Sequence, residues 1–164
     1  MNAGDPLAYF ITWTVYGSHL QGDAQGWPRR GKGHQLPQSL LADWHRMRLK
    51  HDLMLLSSEQ RKVIELECER HCCHRGWHLW DVNARSTHVH VVVTSDGFSG
   101  KLVREQLKAN CTRALRSRWK EYGDRPVWTS GGDWQCVNDE DSLDAVRLYV
   151  REAQDRMGRE ETGG

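Results

Sequence analysis

No stretch of this sequence is apolar for long enough to cross a bilayer: the most apolar segment, Val89 and then Val91 to Val93, is far short of the roughly 20 residues required. The first residues, Met1 to Pro6, lack the basic and apolar pattern of a signal peptide, so a cytoplasmic protein is expected. There is no internal repeat, no low-complexity tract and no excess of one charge sign. The formal net charge is +1, which leaves no whole-molecule basic field to argue for a nucleic-acid partner. Cys68, Cys72, Cys73, Cys111 and Cys136 are an odd number of cysteines without an export signal, which argues for thiols and against a disulfide framework.

What is present is the composition of an ordinary globular protein, 38% hydrophobic and 27% charged. A length of 164 residues suits one domain with a real core, here 1–164. Ala8 to Tyr16, aromatic and β-branched up to Gly17, reads as a buried strand. From Gly17 to Pro37 the chain is dense in Gly, Gln, Asp and Pro and reads as a long loop. Ser39 to Leu56 has the spacing of an amphipathic helix, with Leu40, Trp44 and Met47 on one side, so an inserted loop-helix segment is expected at about 17–56.

Ser57-Ser58-Glu59-Gln60 offers a capping box for a helix running to about His74. Two strand-like runs follow, Trp77 to Ala84 and Thr87 to Thr94. A long basic helix is expected over Ser99 to Lys120, a short strand region over Val127 to Val137, and a C-terminal helix over Ser142 to Met157. The resulting order is that of an α+β, ferredoxin-like (split βαβ) antiparallel sheet with helices on one face and one extra C-terminal helix.

Thr87-His88-Val89-His90-Val91 sets two imidazoles two residues apart on a strand, so both point to one face and the valines to the other. Buried polar rings need a partner, and a metal or a phosphate would serve. Two imidazoles completed by oxygen ligands suit Mg²⁺ or Mn²⁺ better than a closed zinc site. In the last helix Leu143, Val146, Val150 and Ala153 form the apolar stripe and Tyr149 lies at its edge, where by helix pattern alone it is a packing residue as readily as a functional one.

Between Lys101 and Lys120 seven basic residues face one acid, Glu105, while Asp139 to Glu161 carries eight acids against four arginines. The acidic tail masks a local basic face, and Lys101, Arg104, Lys108, Arg113 and Arg116 are candidate phosphate contacts. Trp13, Trp27, Trp128 and Trp134 are candidate stacking platforms for unpaired bases. Cys68, His71, Cys72, Cys73 and His74 invite a zinc reading, but the i, i+4 pair Cys68 and Cys72 shares a helix face with Ile64 and is better read as buried thiols.

AYFITWTVYG near the start, THVHVVV in mid-chain and the late helical LYVREAQ together resemble the REP-associated tyrosine transposases and related single-tyrosine HUH transposases of small insertion sequences. The loop GSHLQGDAQGW is similar to a Gly-Asp-rich segment that some members carry after the first strand. This resemblance, which spans Ala8 to Arg156, implies that His88 and His90 coordinate a divalent cation. It also implies that Tyr149 attacks single-stranded DNA at a hairpin or repeat end, giving a 5′-phosphotyrosine and a free 3′-hydroxyl. The family's third ligand, a Gln or Asn four residues after the tyrosine, is replaced by Ala153. Gln154 matches the ligand type but lies about 140° around a regular helix from Tyr149, against about 60° for Glu152, so Gln154 is the favoured ligand and Glu152 the reserve.

The function expected is therefore a DNA-nicking and joining enzyme acting as a monomer or homodimer. The alternatives are a catalytically silent nucleic-acid-binding protein derived from such an enzyme, and a metalloprotein unrelated to nucleic acid.

Overall fold

The computed structural model describes residues 4–18, 28–29, 33–34 and 52–153. Strand β1 (Ala8–Thr14) alternates as its sequence demands: Ile11 and Trp13 are buried on one face, while Ala8 and Phe10 pack on the other. Two-residue strands β2 (Pro28–Arg29) and β3 (Gly33–His34) pair with each other. Helix α1 (Ser58–Arg75) opens on the expected capping box, in which the Ser57 hydroxyl accepts from the Gln60 N–H and the Gln60 side chain accepts from the Ser57 N–H. It closes at Gly76, whose φ of 74° is the left-handed conformation that glycine adopts without penalty.

Strands β4 (His78–Ala84) and β5 (His88–Thr94) form an antiparallel pair, followed by helix α2 (Gly100–Arg118), a 3₁₀ turn at Lys120–Tyr122, strand β6 (Asp133–Val137) and helix α3 (Glu140–Arg151). The four-stranded sheet has the order β4-β5-β1-β6, every neighbouring pair antiparallel. The units β1-α1-β4 and β5-α2-β6 thus each skip one strand, the split βαβ arrangement expected from the sequence.

Helices α1 and α2 cover one face of the sheet, where Ile64, Cys68, Val103, Leu107, Cys111 and Leu115 meet Ile11, Trp13, Val89, Val91 and Val93. Among the described residues the opposite face carries α3 alone, whose Leu143, Val146 and Val150 pack on Ala8, Phe10, Val92 and Val137. β5 is therefore apolar toward two helices and polar over half of its other side. That asymmetry positions the site.

One sequence expectation is corrected at its C-terminal end. The helix read over Ser39 to Leu56 lies outside the described residues up to position 51, and 52–57 is not helical. Leu56 is instead buried in the main core with its N–H bonded to the Ser86 carbonyl at 2.9 Å, so this backbone is satisfied by a loop contact in place of a helical turn. The proposed inserted segment otherwise falls largely on residues that are not described.

Candidate functional site

Strand register places His90 opposite Thr12 and His88 opposite Thr14, with Val92 opposite Phe10. Both imidazoles project from the α3 side, their ring centroids 4.6 Å apart, and both are almost fully buried. His90 Nδ1 lies 2.9 Å from the Thr12 hydroxyl and His88 Nδ1 lies 3.0 Å from the Thr87 hydroxyl. These hydroxyl contacts hold the two rings in defined orientations on a strand that is otherwise valine up to Thr94.

Helix α3 begins at Asp139, whose carboxylate accepts from the Ser142 N–H at 2.8 Å. Its sequence then puts Leu143, Val146 and Val150 inward, and Tyr149, one residue from Val150, falls at the edge of the stripe. The phenol is not a core residue: it is 59% exposed. Its ring sits 5.7 Å from His90 and 5.9 Å from Phe10, centroid to centroid, in near-perpendicular contacts. His88, His90 and Tyr149, the outermost of them 61 residues apart in the chain, share one open cleft of about 630 Å³ with Thr12, Thr14, Asp133 and Glu152.

Gln154 lies outside the described residues. Helix α3 ends at Arg151, with Glu152 as its C-cap. Among the described residues no third His, Cys, Asp or Glu closes on the histidines to make a three-donor group, although Glu152 and Asp133 line the same cleft.

The candidate phosphate contacts do not form one face. Arg104 and Lys108 are buried and bonded to the backbone: Arg104 to Gly132 O at 3.2 Å, Lys108 Nζ to Thr129 O at 3.1 Å and Gly131 O at 2.7 Å. Burial pulls the Lys108 ammonium below the usual lysine value, an effect that neighbouring Glu105 opposes. Arg116 is committed to Tyr122 O and Arg125 O, both at 2.9 Å. Lys101 and Arg113 are exposed, but α2 packs on the sheet face away from the histidines.

The candidate stacking platforms divide similarly. Trp13 and Trp128 are buried and pack edge to face at 5.9 Å, Trp134 is 40% exposed beside Tyr9, and Trp27 lies outside the described residues. Of the cysteine cluster, Cys68 and Cys72 are buried thiols as read, while Cys73 is exposed: Cys68 Sγ lies 3.8 Å from Cys111 Sγ, and burial pushes the Cys72 thiol up to about 12. His71 of that cluster bonds Gln106 at 2.8 Å.

Sequence reasoning missed Asp81 and Asn83. A bulge between Leu79 and Asp81 interrupts the β4 register, so Trp80 packs in the α3-side cluster while Leu79 and Val82 pack with the main core. Asp81 then meets α3, accepting from Arg147 at 2.7 Å and Arg151 at 3.0 Å, and Asn83 donates to the α3 backbone. The available signal was the pair of polar residues in HLWDVNA, but strict alternation from Leu79 would have turned Asp81 toward the core.

No family model matches the chain, and no curated protein matches it in sequence. Solved structures do match. One is that of a proposed transposase from Deinococcus radiodurans, with 12% identity and a TM-score of 0.52 over 92% of this chain and 96% of that one. Another is a REP-associated tyrosine transposase bound to a REP hairpin, with 11% identity and a TM-score of 0.52 over 87% of this chain but only 63% of the neighbour's. The α+β fold of this chain is thus also the fold of these transposase structures.

Proposed function

We propose that this chain is a divalent-metal-dependent single-stranded DNA endonuclease and strand transferase that works through a covalent bond to Tyr149. The observation that carries the reading is the convergence of His88, His90 and a solvent-reachable Tyr149 in one cleft, on a fold otherwise found in transposase structures. A core tyrosine would bury its ring. This one stands beside an imidazole pair and is 59% exposed.

The histidines suit a divalent cation such as Mg²⁺ or Mn²⁺ in their donor chemistry: they are same-face imidazoles, each oriented by a hydroxyl at Nδ1. Gln154, or Glu152 in its place, would add an oxygen donor. When bound, such a cation neutralises charge on the scissile phosphate. Tyr149 Oη forms the new bond to phosphorus as the bond from phosphorus to the 3′ oxygen breaks. The phenolic proton is given up and the departing oxygen becomes a 3′-hydroxyl. One ester replaces another, so rejoining by a 3′-hydroxyl needs no ATP.

Labelled single-stranded hairpins incubated with the protein and Mg²⁺ or Mn²⁺, then run on a denaturing gel, test this reading. A protein-linked product is expected from the wild type, and none from Tyr149→Phe, which keeps the ring and its packing, nor from His88→Ala, His90→Ala or chelator-treated protein. An adduct formed by Tyr149→Phe would place the nucleophile elsewhere. Tight hairpin binding by a wild type that never forms an adduct would leave a catalytically silent DNA-binding protein, a reading favoured by Ala153 standing where the resembled family has its amide ligand.

A further inference from the structure

Asn83 is the cross-strand partner of His90, one strand nearer the sheet edge. Its side-chain amide does not face solvent alone: Nδ2 donates to Val150 O at 2.7 Å, with Ala153 O at 3.4 Å. Two carbonyl acceptors fix the amide orientation, because only the NH₂ end can serve both. Val150 O is one of the last carbonyls of α3, where it also accepts from the Ala153 N–H at 3.2 Å, and it belongs to the residue that follows Tyr149. The same side chain therefore ties the turn that carries the tyrosine to the strand position beside the histidine.

We infer that Asn83 is a positioning residue for Tyr149: it sets where the phenol stands along the His88–His90 pair. The neighbouring ion pairs do a different job. Asp81 grips Arg147 and Arg151 through long, flexible side chains, which hold α3 against the sheet but tolerate sliding. Asn83 is short and bonds to backbone, so it defines the axial setting of the helix. Movement by one helical residue changes height by about 1.5 Å, a misplacement large on the scale of a nucleophilic attack.

The kinetic arm of the test rests on the proposed nuclease reading, and the structural arm does not. Fluorotyrosine incorporation labels Tyr9, Tyr16, Tyr122 and Tyr149, and Tyr149→Phe assigns the last of these in the fluorine NMR spectrum. In Asn83→Leu, which removes the donor at similar volume, the Tyr149 resonance is expected to leave its Phe10- and His90-shifted position while the other three stay. Under the nuclease reading, the first-turnover rate of adduct formation at saturating DNA is expected to fall about ten- to a hundredfold, with the DNA dissociation constant within about twofold of wild type. Asn83→Ser, a smaller change that retains a hydroxyl donor, decides the matter if the leucine variant does not fold, and is expected to show the same effects at lesser size. An unmoved Tyr149 resonance in the folded variants would overturn the inference. So would an unchanged first-turnover rate in an active protein. A wild type that forms no adduct defeats the nuclease reading, while the NMR arm still decides whether Asn83 positions the phenol.

Discussion

The Lys108 ammonium is buried and donates to two backbone carbonyls, with the Glu105 carboxylate 3.8 Å away. With Arg104 it ties α2 to the 129–132 loop, where Gly132, at φ 128°, brings its backbone so close to Thr12 that a Cβ would sit 2.7 Å from the Thr12 carbonyl oxygen. Removing the Lys108 side chain strands two carbonyl acceptors and is expected to cost about 1–3 kcal/mol. Lys108→Ala and Arg104→Ala should therefore lower the urea midpoint while leaving the salt slope of single-stranded DNA binding at its wild-type value. A slope reduced by about one in Lys108→Ala would put that ammonium on a phosphate. Counting charges along Ser99 to Lys120 identified a basic helix but could not tell which charges point at solvent. The histidine pair was legible because a period of two on a strand states its own facing, and Tyr149 was legible only through resemblance.

At the scale of elements, the strands and helices that make the sheet could be read because each carries a local rule. The capping box named the start of α1, and the alternating valines of β5 named its buried side. The failures are places where a local rule is overridden. The helix expected to reach Leu56 is absent over 52–57, where Leu56 is spent on the loop at Ser86. HLWDVNA hides a bulge that no alternation pattern announces, and with it the two side chains that dock α3. The start of α3 offers a pH test of that helix. Backbone and hydroxyl hydrogen bonds from Ser142 hold the Asp139 carboxyl below the usual carboxylate range. Its folded pKa is thus depressed, so its contribution to α3 is complete above the ordinary aspartate range and is lost as pH falls through the depressed value. The Ser142 amide resonance should titrate in that acid window in the wild type and stay flat there in Asp139→Asn. A titration that survives the substitution would assign the effect to another group.

For the molecule as a whole, the two faces of the sheet carry unequal weight. Among the described residues nineteen buried apolar side chains lie in the cluster under α1 and α2, against five under α3. At about 1.5–3 kcal/mol for each fully buried large side chain, the first cluster dominates the folding free energy. Thiol reactivity should report its integrity: Cys73 and Cys136 are exposed, while Cys68, Cys72 and Cys111 are buried, with the Cys68 and Cys72 thiols raised well above the usual value. Two thiols per chain should react with a disulfide-exchange reagent at neutral pH, and five only in denaturant. Fast reaction of a third in native buffer would mean that the α1–α2 layer opens. The lopsided core has a consequence for the history open to such a chain. Mutations that silence the cleft subtract little from its foldedness, so loss of chemistry does not bring loss of the protein. Under the proposed nuclease function, a lineage could shed cutting and retain a sound scaffold for holding DNA, without passing through an unfolded ancestor.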